Sequence, residues 1–194
     1  MRLRTVRWQH AFTLVEMLVV IVIAGVILGL AVPSFRQFIL KQRLTSINSQ
    51  LVTDLQLARS EAVARNAYVR FSYNSDAQVT CYTIYTFTSN TSRCDCRQAP
   101  ACVEPGTVDV RSAQVRRDLG VTIQPPVDQA IDFDFDPATG GIRAIPTDRP
   151  TPALPFFELR SKIDDSRTFK TIVGQSGRLS VCTPAGSVLG GPTC

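Results

Sequence analysis

The sequence predicts an α+β protein: a long N-terminal α-helix, membrane-type in its first half and amphipathic in its second, packs on an antiparallel β-sheet or small β-sandwich head. Three observations carry that expectation. An apolar run fills residues 12–32, a three-to-four-residue apolar spacing continues to about Arg65, and short β-rich runs follow Asn66. A length of 194 residues allows one domain plus an appendage. A composition 44% hydrophobic and 19% charged suffices to bury a core.

The segment Phe12–Val32 reads FTLVEMLVVIVIAGVILGLAV, with Glu16 its single charge. At about 1.5 Å per residue such a helix is roughly 30 Å long, the thickness of a bilayer's hydrocarbon core. A secretory signal peptide competes, because Arg2, Arg4 and Arg7 precede the run and Gly29-Leu30-Ala31 resembles a small-x-small cleavage site. Signal-peptide cores are shorter, about 7–15 residues, and here the apolar pattern continues past that site. Arg36, Lys41 and Arg43 flank the far end, so charge counting leaves the orientation nearly balanced. A carboxylate inside a membrane span costs about 2.5–3.5 kcal/mol and calls for a cationic partner. A cut just before Phe12 would place a new α-amino group four residues from Glu16, and such amines on neighbouring subunits would neutralise it.

Beyond the run, Phe35, Phe38, Ile39, Leu44, Ile47, Leu51, Leu55, Ala58 and Ala62 mark one face of an amphipathic helix to about Arg65. Over Phe12 to Arg65 a single helix would reach about 80 Å. Pro33 removes one of its hydrogen bonds and should bend or loosen it. Gly25-Val26-Ile27-Leu28-Gly29 is a GxxxG spacing that permits close helix approach. Strands are predicted at Tyr68–Tyr73, Val79–Phe87, Thr107–Arg111, Val121–Gln124, Ile131–Phe135, Phe156–Arg160, Phe169–Val173 and Arg178–Cys182. Segment 88–106, with three cysteines and two prolines, reads as a long loop.

Charge, histidine and cysteine usage narrow the chemistry. The formal charge is +5, but without the three leader arginines eighteen basic residues face sixteen acidic ones, a balance of +2, so no global field for nucleic acid is established. The sole histidine, His10, lies in the leader, which excludes Ser-His-Asp, Cys-His and His-metal arrangements from the head. Carboxylate catalysis needs no histidine, but no spacing marks a pair, and no cofactor or metal is expected.

Six cysteines, Cys81, Cys94, Cys96, Cys102, Cys182 and Cys194, lie behind the apolar segment, an even count that points to export and disulfides. Six free thiols are the alternative; zinc fits poorly, because Cys94-x-Cys96 and Cys102 lack the usual ligand spacing. A Cys182–Cys194 bridge would pin the Gly/Pro-rich tail to the last strand and contribute about 2–3 kcal/mol. Cys81 would pair with one loop cysteine, leaving the other two bridged or free. Asp132, Asp134 and Asp136 alternate like the start of a calcium loop. Pro137 stands where that loop needs glycine and Arg143 where it needs glutamate, so a strand with a solvated acidic face is expected.

Ala11-Phe12-Thr13-Leu14-Val15-Glu16 resembles the prepilin processing site of type IV pilins and type II secretion pseudopilins, with Ala11 in place of the usual glycine. The short basic leader, the apolar helix directly after the cut and Pro33 agree with it. Asp54-Leu55-Gln56-Leu57-Ala58-Arg59-Ser60-Glu61-Ala62-Val63-Ala64-Arg65 is similar to the LQ-ARSEA stretch of the GspH/FimT group of minor pilins and pseudopilins. Ser176-Gly177-Arg178-Leu179-Ser180-Val181-Cys182 resembles that group's closing strand.

The resemblance implies a type IV pilin-like fold with a leader over 1–11, a membrane and filament-core helix over 12–33, its amphipathic continuation over 34–66, and a disulfide-bearing head over 67–194. It implies cleavage after Ala11 by a prepilin peptidase, N-methylation at Phe12 and an assembly role for Glu16. The implied location is the bacterial inner membrane, single-pass with a periplasmic head, and then a pilus or pseudopilus. Other major and minor pilins or pseudopilins, and an inner-membrane assembly platform, are the implied partners. The leading reading is a structural minor pilin acting in initiation or at the tip; a GspH-type pseudopilin of a type II secretion system is the alternative. A third reading is DNA binding through Arg178, because Gly177-Arg178-Leu179-Ser180 resembles the Gly-Arg-x-Arg element of some FimT-like pilins. The second arginine is absent, and Arg116, Arg117, Arg143 and Arg149 are scattered, so nucleic acid is the disfavoured partner.

Overall fold

The computed structural model describes residues 13–126, 132–145 and 156–194, leaving aside the side chains of residues 30–34 and 144. Its helix α1 spans Leu14–Arg65, 52 residues in one element that passes through Pro33. The Pro33 side chain, at which a bend was expected, lies outside the described ones. Both helix ends are capped by sequence. Thr13 Oγ1 accepts the N–H of Glu16 at 3.2 Å, the Thr-x-x-Glu spacing of a capping box. At the other end Asn66 turns left-handed with φ +49°, while Asn66 and Ala67 donate to the carbonyls of Val63 and Ala62, a Schellman closure that asparagine tolerates.

Two compact units divide the chain at Ile39/Leu40. In the first, the described apolar side chains from Leu14 to Leu28 are exposed around the whole helix. Those described side chains stop at Gly29, and no helix among the described residues is long and apolar enough to cross a membrane; in the sequence the apolar run continues to Val32. Phe35, Phe38 and Ile39, expected on the head-facing stripe, are also exposed.

In the second unit the buried stripe of α1 begins later than expected, with Leu44, and continues through Leu51, Leu55, Ala58 and Ala62, all at 0% exposure. Strands β1 (Val69–Ser75), β2 (Val79–Phe87), β3 (Thr107–Arg116), β5 (Asp132–Phe135) and β6 (Ile142–Ala144) form one sheet in the order β3-β2-β1-β5-β6. Strands β4 (Thr122–Gln124), β7 (Phe156–Asp164), β8 (Arg167–Gly174) and β9 (Leu179–Cys182) form the second, ordered β4-β7-β8-β9. Every pairing between these strands is antiparallel.

One core joins the helix stripe to Val69, Phe71, Tyr82 and Ile84 of the first sheet and to Ile123, Leu159 and Val173 of the second. Phe133 is its hinge pin: its ring stacks on Phe71 at 5.0 Å and on Phe157 at 4.7 Å, tying the two sheets together. Leu44, Val121 and Leu189 form a smaller cluster near the start of this unit's helix, against Phe169.

Several strand limits differ from expectation. β3 runs on to Arg116 and β7 to Asp164 because backbone pairing with β2 and β8 continues past the apolar residues. The short β6 has too few residues to show a period, and exists because the 136–141 turn returns it to β5. Tyr68, Val121 and Arg178 fall just outside their strands, and Ile131 lies outside the described residues.

Three hairpin turns are closed in the same way. The carboxylates of Asp76, Asp136 and Asp164 accept backbone N–H groups two or three residues ahead, at Gln78 and Val79, at Ala138 and Thr139, and at Arg167. The Val79 and Thr139 N–H groups hold Asp76 and Asp136 below the usual carboxylate range, and the Arg167 side chain draws Asp164 down to about 2. A folded pKa below the unfolded value means stability present above about pH 4 and lost as pH falls through the folded value. The thermal midpoint of the full chain in detergent, followed by circular dichroism, should therefore fall between about pH 4 and pH 2. Asp76→Asn/Asp136→Asn/Asp164→Asn, which keeps acceptors that do not titrate, should flatten that fall; an unchanged slope would remove these turns from the account.

Candidate functional site

The cleavage and methylation positions, Ala11 and Phe12, lie outside the described residues. Glu16 is placed in the first turn of α1, where an acid complements the helix dipole, and its carboxylate makes no ion pair among the described residues. The cap uses the Glu16 backbone N–H, so it does not by itself call for an acid at this position. A Cβ added at Gly25 or Gly29 would meet nothing within 4 Å, so the GxxxG face is open to another helix.

The outer face of the first sheet overturns the expected solvated acidic strand. Asp134 is fully buried, and Arg70, near the start of the central strand β1 and equally buried, grips it with two bonds, Nε to Oδ1 at 2.7 Å and Nη2 to Oδ2 at 3.1 Å. Arg70 Nη1 also donates to the carbonyls of Asn90 at 3.0 Å and Ser92 at 3.4 Å, and its guanidinium lies 4.0 Å from the Phe87 ring centroid. Arg143 adds a contact of 3.2 Å to Asp134 while stacking on Tyr68. Beside them the Ser72 hydroxyl donates to Asp132, whose carboxyl is pushed up by burial. Asp132 and Asp136 are both half-buried, Asp136 in its turn.

What covers this face is the 88–106 loop. Cys81 on β2 is bonded to Cys96, Cys94 to Cys102, and the Gln114 amide on β3 donates to the Cys96 carbonyl. The third bridge, Cys182–Cys194, folds the tail back so that Cys194 N–H donates to the Thr183 carbonyl. No cysteine is free, which removes both the thiol and the zinc readings. Alternation alone misses the buried pair because a polar strand face is taken as solvated. The available signal was Arg70 facing Asp134 in a neighbouring strand beneath a cysteine-rich segment long enough to cover both.

The LQLARSEA region divides by face. Asp54 is buried and accepts the Tyr82 hydroxyl at 2.7 Å and Arg111 Nε at 3.3 Å, and burial raises the Tyr82 hydroxyl's pKa. Arg59 points outward across Gly140 and Gly177. Gly177 has φ +72°, and a Cβ there would fall 1.9 Å from the Gly140 carbonyl oxygen, so no larger residue fits before Arg178. Arg178 is exposed. A groove of about 650 Å³ lies between this turn and the outward face of α1, lined by Gln56, Arg59, Ser60, Val63, Arg178 and Leu179.

Removing one partner of a buried ion pair strands the other charge and typically costs about 3–5 kcal/mol. Arg70→Met should lower the thermal midpoint of the oxidised full chain by roughly 10 °C or more. Arg70→Met/Asp134→Leu should recover much of that loss. Equal midpoints for the single variant and the parent would refute the pair's structural weight.

The family described as Type II transport protein GspH matches residues 48–187, and the prokaryotic N-terminal methylation motif matches residues 9–32. No curated protein and no solved structure matches the chain. The two matches together take in Ala11, Glu16, the core stripe of α1 from Leu51 to Ala62 and all but the tail of the two-sheet head. Their order along the chain, with α1 joining them, identifies a member of the GspH family, a type IV minor pilin or pseudopilin of the GspH/FimT group.

Proposed function

We propose that the chain is made as a prepilin, cut after Ala11 by prepilin peptidase, N-methylated at Phe12, and held in the inner membrane by residues 12–33 until an assembly platform adds it to a filament. There it serves as a minor pilin, in initiation or at the tip, beside other major and minor pilins. The observation that carries this reading is Glu16, the single charge of the apolar run 12–32, placed in the first turn of α1 and four residues from the amine that the cut would create. Apolar helices leaving lipid for a filament core gain little hydrophobic energy, so association rests on close packing and on charge neutralisation. Three disulfides suit a head exposed to the periplasm.

A second reading has one observation in its favour, the family's description as a type II transport protein. As a pseudopilin of a secretion system the chain would use the same helix and head in a different machine. Deleting the gene separates the two: loss of twitching motility with normal exoprotein release supports the pilus, and the reverse supports secretion.

Glu16→Ala should leave membrane insertion and the disulfides intact but remove the subunit from sheared filaments. Glu16→Gln removes the charge at nearly constant size and leaves the backbone bond to Thr13 in place, and should be lost as well. Incorporation of the glutamine variant at parental level, measured by mass spectrometry of the sheared fraction, would refute the role given to the charge.

A further inference from the structure

The chain after β9 forms a strap whose bridge differs from the other two. Residues 183–194 fold back from β9, and Leu189, 9% exposed, sits against Leu44 and Val121 beside Phe169. Two hydrogen bonds dock the middle of the strap on one carbonyl: Val188 N–H at 3.0 Å and the Ser187 hydroxyl at 3.1 Å both donate to Ser166. Its ends are tied by Thr183 N–H to the Pro192 carbonyl at 2.9 Å and by Cys194 N–H to the Thr183 carbonyl at 3.1 Å, next to the Cys182–Cys194 bridge. Leu189 and Cys194 lie beyond residue 187, where the match to the GspH family ends.

Access and anchoring separate the three bridges. In thiol–disulfide exchange a thiolate must reach a sulfur atom, so exposure decides which bridge is attacked first. Cys194 is exposed, whereas Cys81, Cys94 and Cys96 are at most 2% exposed and Cys102 is half-buried. The loop that holds the other two bridges is also braced by side chains, with Gln114 donating to the Cys96 carbonyl and Arg70 to the carbonyls of Asn90 and Ser92. The strap over 184–194 has Leu189 as its one buried side chain, and its adjacent Gly190 and Gly191 stand at φ +73° and +117°. Ordering such a segment without a cross-link costs more backbone entropy than a single leucine returns.

We infer that the strap is a redox-operated latch: a small dithiol reduces Cys182–Cys194 before the other bridges, the strap leaves its seat, and Leu44 and Val121 lose their cover. In the exchange, one thiolate of the dithiol bonds to the exposed Cys194 Sγ and the S–S bond breaks, releasing Cys182 as a thiolate that takes up a proton. The second sulfur of the dithiol then displaces Cys194, so the dithiol departs oxidised as a cyclic disulfide and the chain keeps two thiols. The two-sheet core stays closed, because Leu44, Val121 and Leu189 belong to a cluster separate from the one that joins both sheets to α1. The latch concerns the head alone and does not rest on the filament reading.

The test uses the full chain in detergent without denaturant, with dithiothreitol as the dithiol and cysteine alkylation read by mass spectrometry. Cys182 and Cys194 share the tryptic peptide Leu179–Cys194, which holds none of the other four cysteines. That peptide should be alkylated at a dithiothreitol concentration about tenfold or more below the one that labels the loop cysteines. At that concentration hydrogen exchange should quicken about tenfold or more at Val188 and Leu189 while β1 and β2 keep the parental rate. Cys182→Ser/Cys194→Ser should reproduce the fast exchange with no reductant present. Labelling of the loop cysteines at or below the concentration that opens the tail overturns the selectivity. Unchanged exchange at Val188 and Leu189 after full labelling of the tail peptide overturns the latch, and so does loss of protection in β1 and β2, which would make the bridge a support of the whole head.

Discussion

The stripe of Leu44, Leu51, Leu55, Ala58 and Ala62 on α1 is the contact on which the head depends, because both sheets close their cores against it. Its spacing keeps one side of the helix apolar, and the residues between, Gln56, Arg59, Ser60 and Glu61, keep the opposite side wet. Two alanines at its end let the first sheet approach closely, and the Schellman turn at Asn66 feeds the chain straight into β1, the central strand of that sheet. The first half of α1 shows no such division: its apolar side chains face every direction. A surface of that kind in water is an interaction site by default. The same helix therefore builds the head from one end and leaves the other for something outside the chain.

A head this small gains by burying its first sheet on both faces. The inner face does so with aromatic rings, the outer one with a polar cluster, and the second solution is the more demanding. Arg70 and Asp134 satisfy each other, and the remaining guanidinium donor needs the Asn90 and Ser92 carbonyls, which belong to a loop with no regular structure of its own. Cys81–Cys96 holds that loop against β2, so the covalent link and the ion pair are parts of one arrangement. A buried pair is weak evidence of stability by itself, since an apolar replacement can serve equally well. What it adds here is register: β1 and β5 must align so that Arg70 lies opposite Asp134, and that alignment also sets Phe71 opposite Phe133 in the core.

Much of this was legible because it repeats. The long helix, the strand Val79–Phe87 and the closing strand all carry periods that a reader of residues can count. Polar segments carry none: β3 beyond Arg111 and β7 beyond Arg160 are held by backbone pairing, to which Ser112, Gln114 or Lys162 contribute no pattern. Phe35, Phe38 and Ile39 fit the helical spacing yet stay exposed, since period reports that a face is apolar and not what covers it. Asp134 failed for the converse reason. Its burial depends on a loop whose path is set by cysteine pairing, a long-range fact that alternation along one strand does not contain.

Glu16 shows how a local explanation and the proposed assembly role fit together. The helix dipole contributes about 0.3–1 kcal/mol, enough to favour an acid near a helix start in contact with water. In a membrane that position lies at the end of the apolar run, where a side chain reaches the interface and the penalty of about 2.5–3.5 kcal/mol at the bilayer centre does not apply in full. The balance changes in the proposed filament core. There neighbouring helices displace both water and headgroups, the dipole alone does not replace them, and a carboxylate without a cation stands uncompensated. The amine at residue 12 of an adjacent subunit is the group that processing would supply at that depth. On these magnitudes the same residue is tolerated in the bilayer and becomes decisive only when subunits pack.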